Sequence, residues 1–401
     1  GIEMGKRVFM VINGNFPRMG AGTNYIQYFA LALLEKDWEV IVLGEGDNQE
    51  EDKNPYQKGY LYHDIRYDNI GIPDDKIRAA WHHKVLYGKL VAKKLREYAV
   101  CADDYLIFYT YSHKGITYAA KHMKEVNKDH ISVCCVEWFE PDKYKLGKFD
   151  PLYWEYMYTF NRAFTITKRV IPISRELDNH FREKGCKTLL LPIMADPYEF
   201  PYDEEKNGCN DGKIRLIYPG AATKKDSFDI MIKSILALPE NVRNRVEFHV
   251  TKMNKKKLKT LLGGEKWLID HMGSLLVLHD WMSFNDLIKL YREMDFLLLA
   301  RENRLTTRAN FPSKIPELMS FGVIPICSDV GDCPAFYLTD GYDSILFEGC
   351  TVENCSEAIL KAASLTDDKR REMRNNARKC VIDKFYYRNW AERIDDFLLD
   401  R

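Results

Sequence analysis

Apolar and polar positions alternate along this chain in blocks that follow a strand–helix–strand order. Arg7-Val-Phe-Met-Val-Ile-Asn13 is an almost unbroken apolar run, the mark of a strand buried on both faces. A loop with three glycines, Asn13 to Gly22, comes next. Thr23 then caps a helix in which Tyr25/Ile26, Phe29/Ala30 and Leu33/Leu34 recur at helical spacing. Strands are expected at Glu39–Leu43, Tyr105–Tyr109, Ile131–Val136, Val170–Ser174 and Leu189–Pro192. Pro192 to Gly212 is polar and turn-rich, and reads as a linker. A second series begins at Lys213–Tyr218, with strands at Val246–Val250, Leu275–Leu278, Phe296–Ala300, Val323–Cys327 and Ser344–Phe347. Helices separate them, Phe284–Met294 being the clearest. Strands joined by helices predict parallel, doubly wound sheets, an α/β fold. From Thr366 the pattern is helical, broken near Phe385-Tyr-Tyr387, and ends in a stripe of Trp390, Ile394, Phe397 and Leu398.

Composition narrows the class. A chain of 401 residues fits two domains, and 46% hydrophobic with 29% charged residues describes a globular protein. Lys plus Arg equals Asp plus Glu at 59 each, so no overall field argues for nucleic acid. No apolar run approaches the ~18–20 residues of a spanning helix. The start runs directly into a strand and carries no signal-peptide pattern. Ten cysteines without a Cys-x-x-Cys pair suit buried, reduced thiols and a cytoplasmic location.

The chemistry concentrates at Asn310 to Ile326, between two apolar strands. A short helix there carries Ser313, Lys314 and Glu317 in its first turn. A helix N-terminus suits an anion, Lys314 adds a point charge, and Glu317 can accept hydrogen bonds from a pair of sugar hydroxyls. Phosphate donors beside a carboxylate for a diol suit a nucleotide sugar. The plainer reading is a surface helix capped by Ser313, with Pro316 in its first turn and Gly322 at its end.

Pro-Ser-Lys-x-x-Glu-Leu-Met-x-x-Gly-x-x-Pro-Ile resembles the donor motif of retaining glycosyltransferases of family 4, group 1 glycosyl transferases of GT-B fold. That resemblance implies two Rossmann-like domains facing a central cleft: residues 1–197, joined by a C-terminal helix 386–401, for the acceptor, and residues 198–385 for the donor. The family's usual Glu-x7-Glu pattern is half present, since Ala309 stands at the first position. Gly220 with Lys225 resembles the family's Gly-x-x-x-x-Lys element, whose Lys reaches the donor diphosphate; a solvated surface Lys is the alternative. Ala221 replaces the usual Arg, and Arg301, Arg304 and Arg308 on the loop before Pro312 are substitutes for its charge. Gly20 and Gly22 resemble the acceptor-side glycine loop, with a tight turn as the alternative. Glu137, after a first-domain strand, is the candidate carboxylate near the reacting carbon, against an ordinary salt-bridged Glu.

The implied reaction moves a sugar from a nucleoside-diphosphate sugar, UDP by default, to a glycan or lipid-linked acceptor, with retention of configuration. No Asp-x-Asp occurs, so no metal and no other cofactor is expected, and Lys225 and Lys314 meet the leaving-group charge. A nucleotide-sugar epimerase and a two-domain solute-binding protein remain alternatives. Lys76 to Tyr98 sets Ile77, Trp81, Val85, Leu90 and Leu95 against seven Lys and Arg and the lone acid Glu97. It reads either as a core-facing helix with a solvated side or as peripheral contact with the inner membrane face.

Overall fold

The computed structural model describes residues 5–17, 21–73, 75–110, 112–206, 211–223 and 225–401. The chain divides into two compact units, Gly1–Met194 with Tyr387–Arg401, and Ala195–Tyr386. Each has its own sheet and core.

Unit 1 is built on a sheet of β1 (Arg7–Ile12), β2 (Glu39–Gly44), β3 (Tyr60–Tyr62), β4 (Ile65–Asn69), β5 (Tyr105–Tyr109), β6 (Ile131–Cys135), β7 (Arg169–Pro172) and β8 (Lys187–Thr188). The order is β3-β4-β2-β1-β5-β6-β7-β8. All pairings are parallel except β3 with β4. The central strands are buried on both faces, which is why they read as unbroken apolar runs. The edge hairpin β3–β4 is absent from the pattern-based reading. His63 and Asp64, at φ of 48° and 66°, form its two-residue turn, a left-handed pair more often built from Asn and Gly. The strand expected at Leu189–Pro192 is corrected to Lys187–Thr188. Leu189 and Leu191 still donate backbone bonds to Val170 and Pro172, in line with the bond from Lys187 to Lys168, but the strand itself ends at Thr188.

The last helix, Ala391–Leu399, belongs to unit 1. Ile394 and Leu398 are buried, Trp38 Nε1 donates to Asp395 at 2.7 Å, and Arg169 Nη1 donates to Asp400 at 2.8 Å.

Unit 2 carries β9 (Ile214–Tyr218), β10 (Val246–Val250), β11 (Leu276–Leu278), β12 (Phe296–Leu299), β13 (Ile324–Ser328) and β14 (Ile345–Phe347). The order β11-β10-β9-β12-β13-β14 is parallel throughout and reverses direction beside β9 and β12. Such a switch point is where open α/β sheets bind ligands, beyond the carboxyl ends of the strands. The loops after β9, β10 and β12 meet there.

Candidate nucleotide-sugar site

Tyr218 closes β9, and two residues later Gly220 sits at φ +84°, a conformation that suits glycine. Its N–H donates to Thr251 Oγ1 at 2.6 Å, tying the loop after β9 to the loop after β10. A Cβ placed on Gly220 would stand 4.0 Å from Lys314 Cε, so the Lys314 side chain crosses this turn at contact distance. Lys314 Nζ in turn donates to Glu317 Oε2 at 2.9 Å. Gly220, Lys314 and Glu317, from sequence positions almost a hundred residues apart, therefore form one cluster.

The structure adds Lys252, which the sequence reading missed. It follows Thr251 at φ +51°, a strained conformation for a residue with a side chain. Burial lowers its pKa first, the Lys314 charge lowers it further, and Glu317 opposes both. The available signal was position, one residue beyond the buried Thr251 at the end of β10; the neighbouring Lys255-Lys-Lys257 run disguised it as a solvated lysine. Tyr291 faces the same carboxylate, its phenol pushed up by burial and then by Glu317.

Ser313 departs from expectation. It is already in helical conformation, and its hydroxyl makes no capping bond to the helix Lys314–Ser320. Gly322, at φ +75°, ends that helix in the expected way, its N–H donating to Met319 O.

Arg301, expected at the donor, is instead inside the wall. Its Nε donates to Asp226 at 2.6 Å, its Nη1 to Asn310 at 2.9 Å, and its N–H to Ser328 Oγ at 2.8 Å. Tyr218 donates to the other Asp226 oxygen. Lys225 is half-buried and lines a pocket of about 380 Å³ with Glu302, Arg304, Asp229 and Glu265; Gly220 and Lys314 are not among its walls. Arg308 Nη1 donates to Asn303. Ala309, where the family's first Glu would stand, is fully buried.

In unit 1, Glu137 follows β6 and is half-buried; its backbone oxygen accepts from Tyr156 at 2.6 Å. Gly20 lies outside the described residues, and Gly22 falls in the first turn of the helix Ala21–Leu34.

Residues 200–380, spanning every element of this cluster, match the family model "Glycosyl transferases group 1". That stretch is a group 1 glycosyl transferase domain, and the protein is a glycosyltransferase. Sucrose-phosphate synthase from Thermosynechococcus elongatus superposes on the enzyme with a TM-score of 0.71 at 12% identity, over 98% of each chain. HepE of Anabaena, solved in complex with UDP-glucose, does so at 0.67 and 12%, over 98% of this glycosyltransferase and 100% of that chain. WaaG, a glycosyltransferase involved in lipopolysaccharide biosynthesis, does so at 0.65 and 15%, over 98% and 99%. At these identities the likeness establishes the fold, GT-B with two Rossmann-like domains. No curated protein sequence matches the glycosyltransferase significantly.

Proposed function

We propose that this glycosyltransferase takes a nucleoside-diphosphate sugar, UDP being the first nucleotide to test, and transfers the sugar with retention to an acceptor hydroxyl. The acceptor we propose is a glycan or lipid-linked saccharide in surface polysaccharide or glycolipid assembly, met at the cytoplasmic face of a membrane. One observation carries the donor half: the Lys314 side chain crosses Gly220 and is paired with Glu317. That sets a cation, suited to a diphosphate, and a carboxylate, suited to a ribose diol, beside a glycine turn. HepE, solved with UDP-glucose, shares the fold and supports the choice of nucleotide.

In this reading Glu317 holds the ribose hydroxyls, while Lys314, Lys252 and the Ser313 hydroxyl hold the diphosphate, with Lys225 on the adjoining loop. The bond between the sugar's anomeric carbon and the phosphate oxygen breaks as the acceptor oxygen bonds the same face. The acceptor proton passes to the departing phosphate oxygen. Lysine charge supplied where negative charge develops lowers the barrier without a metal. Glu137 is the proposed carboxylate on the acceptor side.

Calorimetry with UDP and with GDP tests the donor assignment. UDP binding that Glu317→Ala and Lys314→Ala both weaken supports it. If wild type binds neither nucleotide, or both substitutions leave binding intact, the assignment is wrong.

A further inference from the structure

The segment Lys76–Tyr98 is not one continuous amphipathic helix. It is a helix Lys76–Trp81, a π-helical turn His82–Leu86 and a helix Tyr87–Glu97. Beyond the π turn, Tyr87, Val91 and Leu95 are buried. Before it Ile77 and Trp81, and within it Val85, spaced by four, are 82%, 54% and 57% exposed. The extra residue in a π turn shifts the helical phase, so the second half reaches the core while the first presents its apolar stripe to solvent. From Lys76 to Arg96 the sequence holds no acid, and Lys76, Arg78 and Lys84 are exposed.

A second apolar group stands nearby in the same unit. Leu146, Phe149, Leu152 and Trp154 are 64%, 77%, 61% and 61% exposed. The buried carboxylate of Asp150 builds this wedge, accepting from Leu152 N at 3.0 Å and Leu146 N at 3.3 Å. Trp154 Nε1 donates to Lys148 O at 2.8 Å, fixing the indole against the turn. Lys145 and Lys148 are exposed around it. The segments that carry the two groups both touch the start of the helix His113–His122, the second through Tyr158 at the end of the helix Pro151–Tyr158. Lys114 Nζ donates to Lys84 O at 2.5 Å, and the Tyr158 ring meets His113 at 4.8 Å.

Large apolar side chains held outward by a built turn mark an interaction surface, and rims of lysine and arginine select an anionic one. We propose that unit 1 docks on an anionic lipid surface through this two-part face. Trp81 and Phe149 enter the headgroup layer at its two centres, and Lys84 and Lys148 meet lipid phosphates. The proposal deepens the reading of a membrane-borne acceptor and rests on it for its purpose.

Cosedimentation of the full chain without donor tests the docking, using vesicles of phosphatidylcholine alone and of phosphatidylcholine mixed with phosphatidylglycerol. Wild type is expected on the mixed vesicles only, with binding that falls as salt is raised. Ile77→Ser with Trp81→Ser, and Phe149→Ser with Leu152→Ser, should each lower the partition coefficient about tenfold or more. Lys84→Glu with Lys148→Glu, at exposed positions that leave the core intact, should do the same at an unchanged melting temperature. Failure of wild type to bind mixed vesicles, or binding indifferent to these substitutions, overturns the proposal. So does light scattering in which the apolar variants dissociate a self-associated form while vesicle binding persists, which would make the face a protein interface. UDP calorimetry on the same variants separates the two readings: a wild type that binds lipid and no nucleotide sinks the donor assignment alone.

Discussion

Arg301 Nε donates to Asp226 Oδ1 at 2.6 Å, and both side chains are buried. This pair joins the loop of Gly220 and Lys225 to the loop that leads into the helix Lys314–Ser320. The two loops reach one site because the pair fixes their separation. Asp226→Ala leaves a buried guanidinium uncompensated and is expected to destabilise unit 2 by about 3–5 kcal/mol. Urea unfolding reads the loss, and a change below about 1 kcal/mol would mean that the pair is not the clamp described here.

Lys314 and Glu317 are expected to separate by ligand. Lys314→Ala should weaken UDP and inorganic pyrophosphate alike, by about tenfold or more, because a charge-assisted contact to phosphate is lost. Glu317→Ala should weaken UDP while pyrophosphate binding stays unchanged or tightens, since pyrophosphate has no ribose and the carboxylate repels it. Titration calorimetry with both ligands decides; equal losses for Glu317→Ala would remove it from the ribose.

Lys252 gives the site a proton signature. Its pKa is lowered by burial and then by Lys314, so in the free enzyme it releases its proton below the ordinary lysine value of 10.5. A bound diphosphate favours the charged form and raises that pKa. UDP binding is therefore expected to include a proton uptake at alkaline pH, below 10.5, that belongs to Lys252. Binding enthalpies in two buffers of different ionisation heat measure the uptake, and Lys252→Met should abolish it.

His249 Nδ1 lies 2.9 Å from His279 Nε2, with His249 buried. Burial, followed by the neighbouring His279, holds the His249 imidazole well below its usual range. The unfolded chain then binds a proton at higher pH than the folded one. Stability is complete above the unfolded value of 6.5 and is lost as pH falls below it towards the folded value. Urea midpoints at pH 7 and pH 5 should show a larger drop for wild type than for His249→Gln.

Most of the strands were legible because the central strands of a doubly wound sheet are buried on both faces and leave continuous apolar runs. The edge hairpin β3–β4 was not. One face of an edge is solvated, and its turn uses His63 and Asp64 where Asn or Gly would have been a signal. Within the candidate site, motif and position pointed to Gly220, Lys314 and Glu317, which the structure brings into one cluster. Lys252 was not, because a lysine beside three others looks like any solvated lysine. The phase of the helical segment Lys76–Tyr98 escaped as well, since nothing in a 3.6-residue period reveals a single π turn.

The sequence by itself determined the α/β class, most strands of both sheets and the helix that carries Lys314 and Glu317. These follow from local periodicity and turn chemistry, which neighbouring residues decide among themselves. Only the tertiary structure decided that Arg301 is buried against Asp226, that Ser313 makes no cap, and that Ile77, Trp81 and Val85 face water. Each of those depends on a partner, or the lack of one, supplied by a distant part of the chain, and no local pattern encodes where a side chain's partner will be.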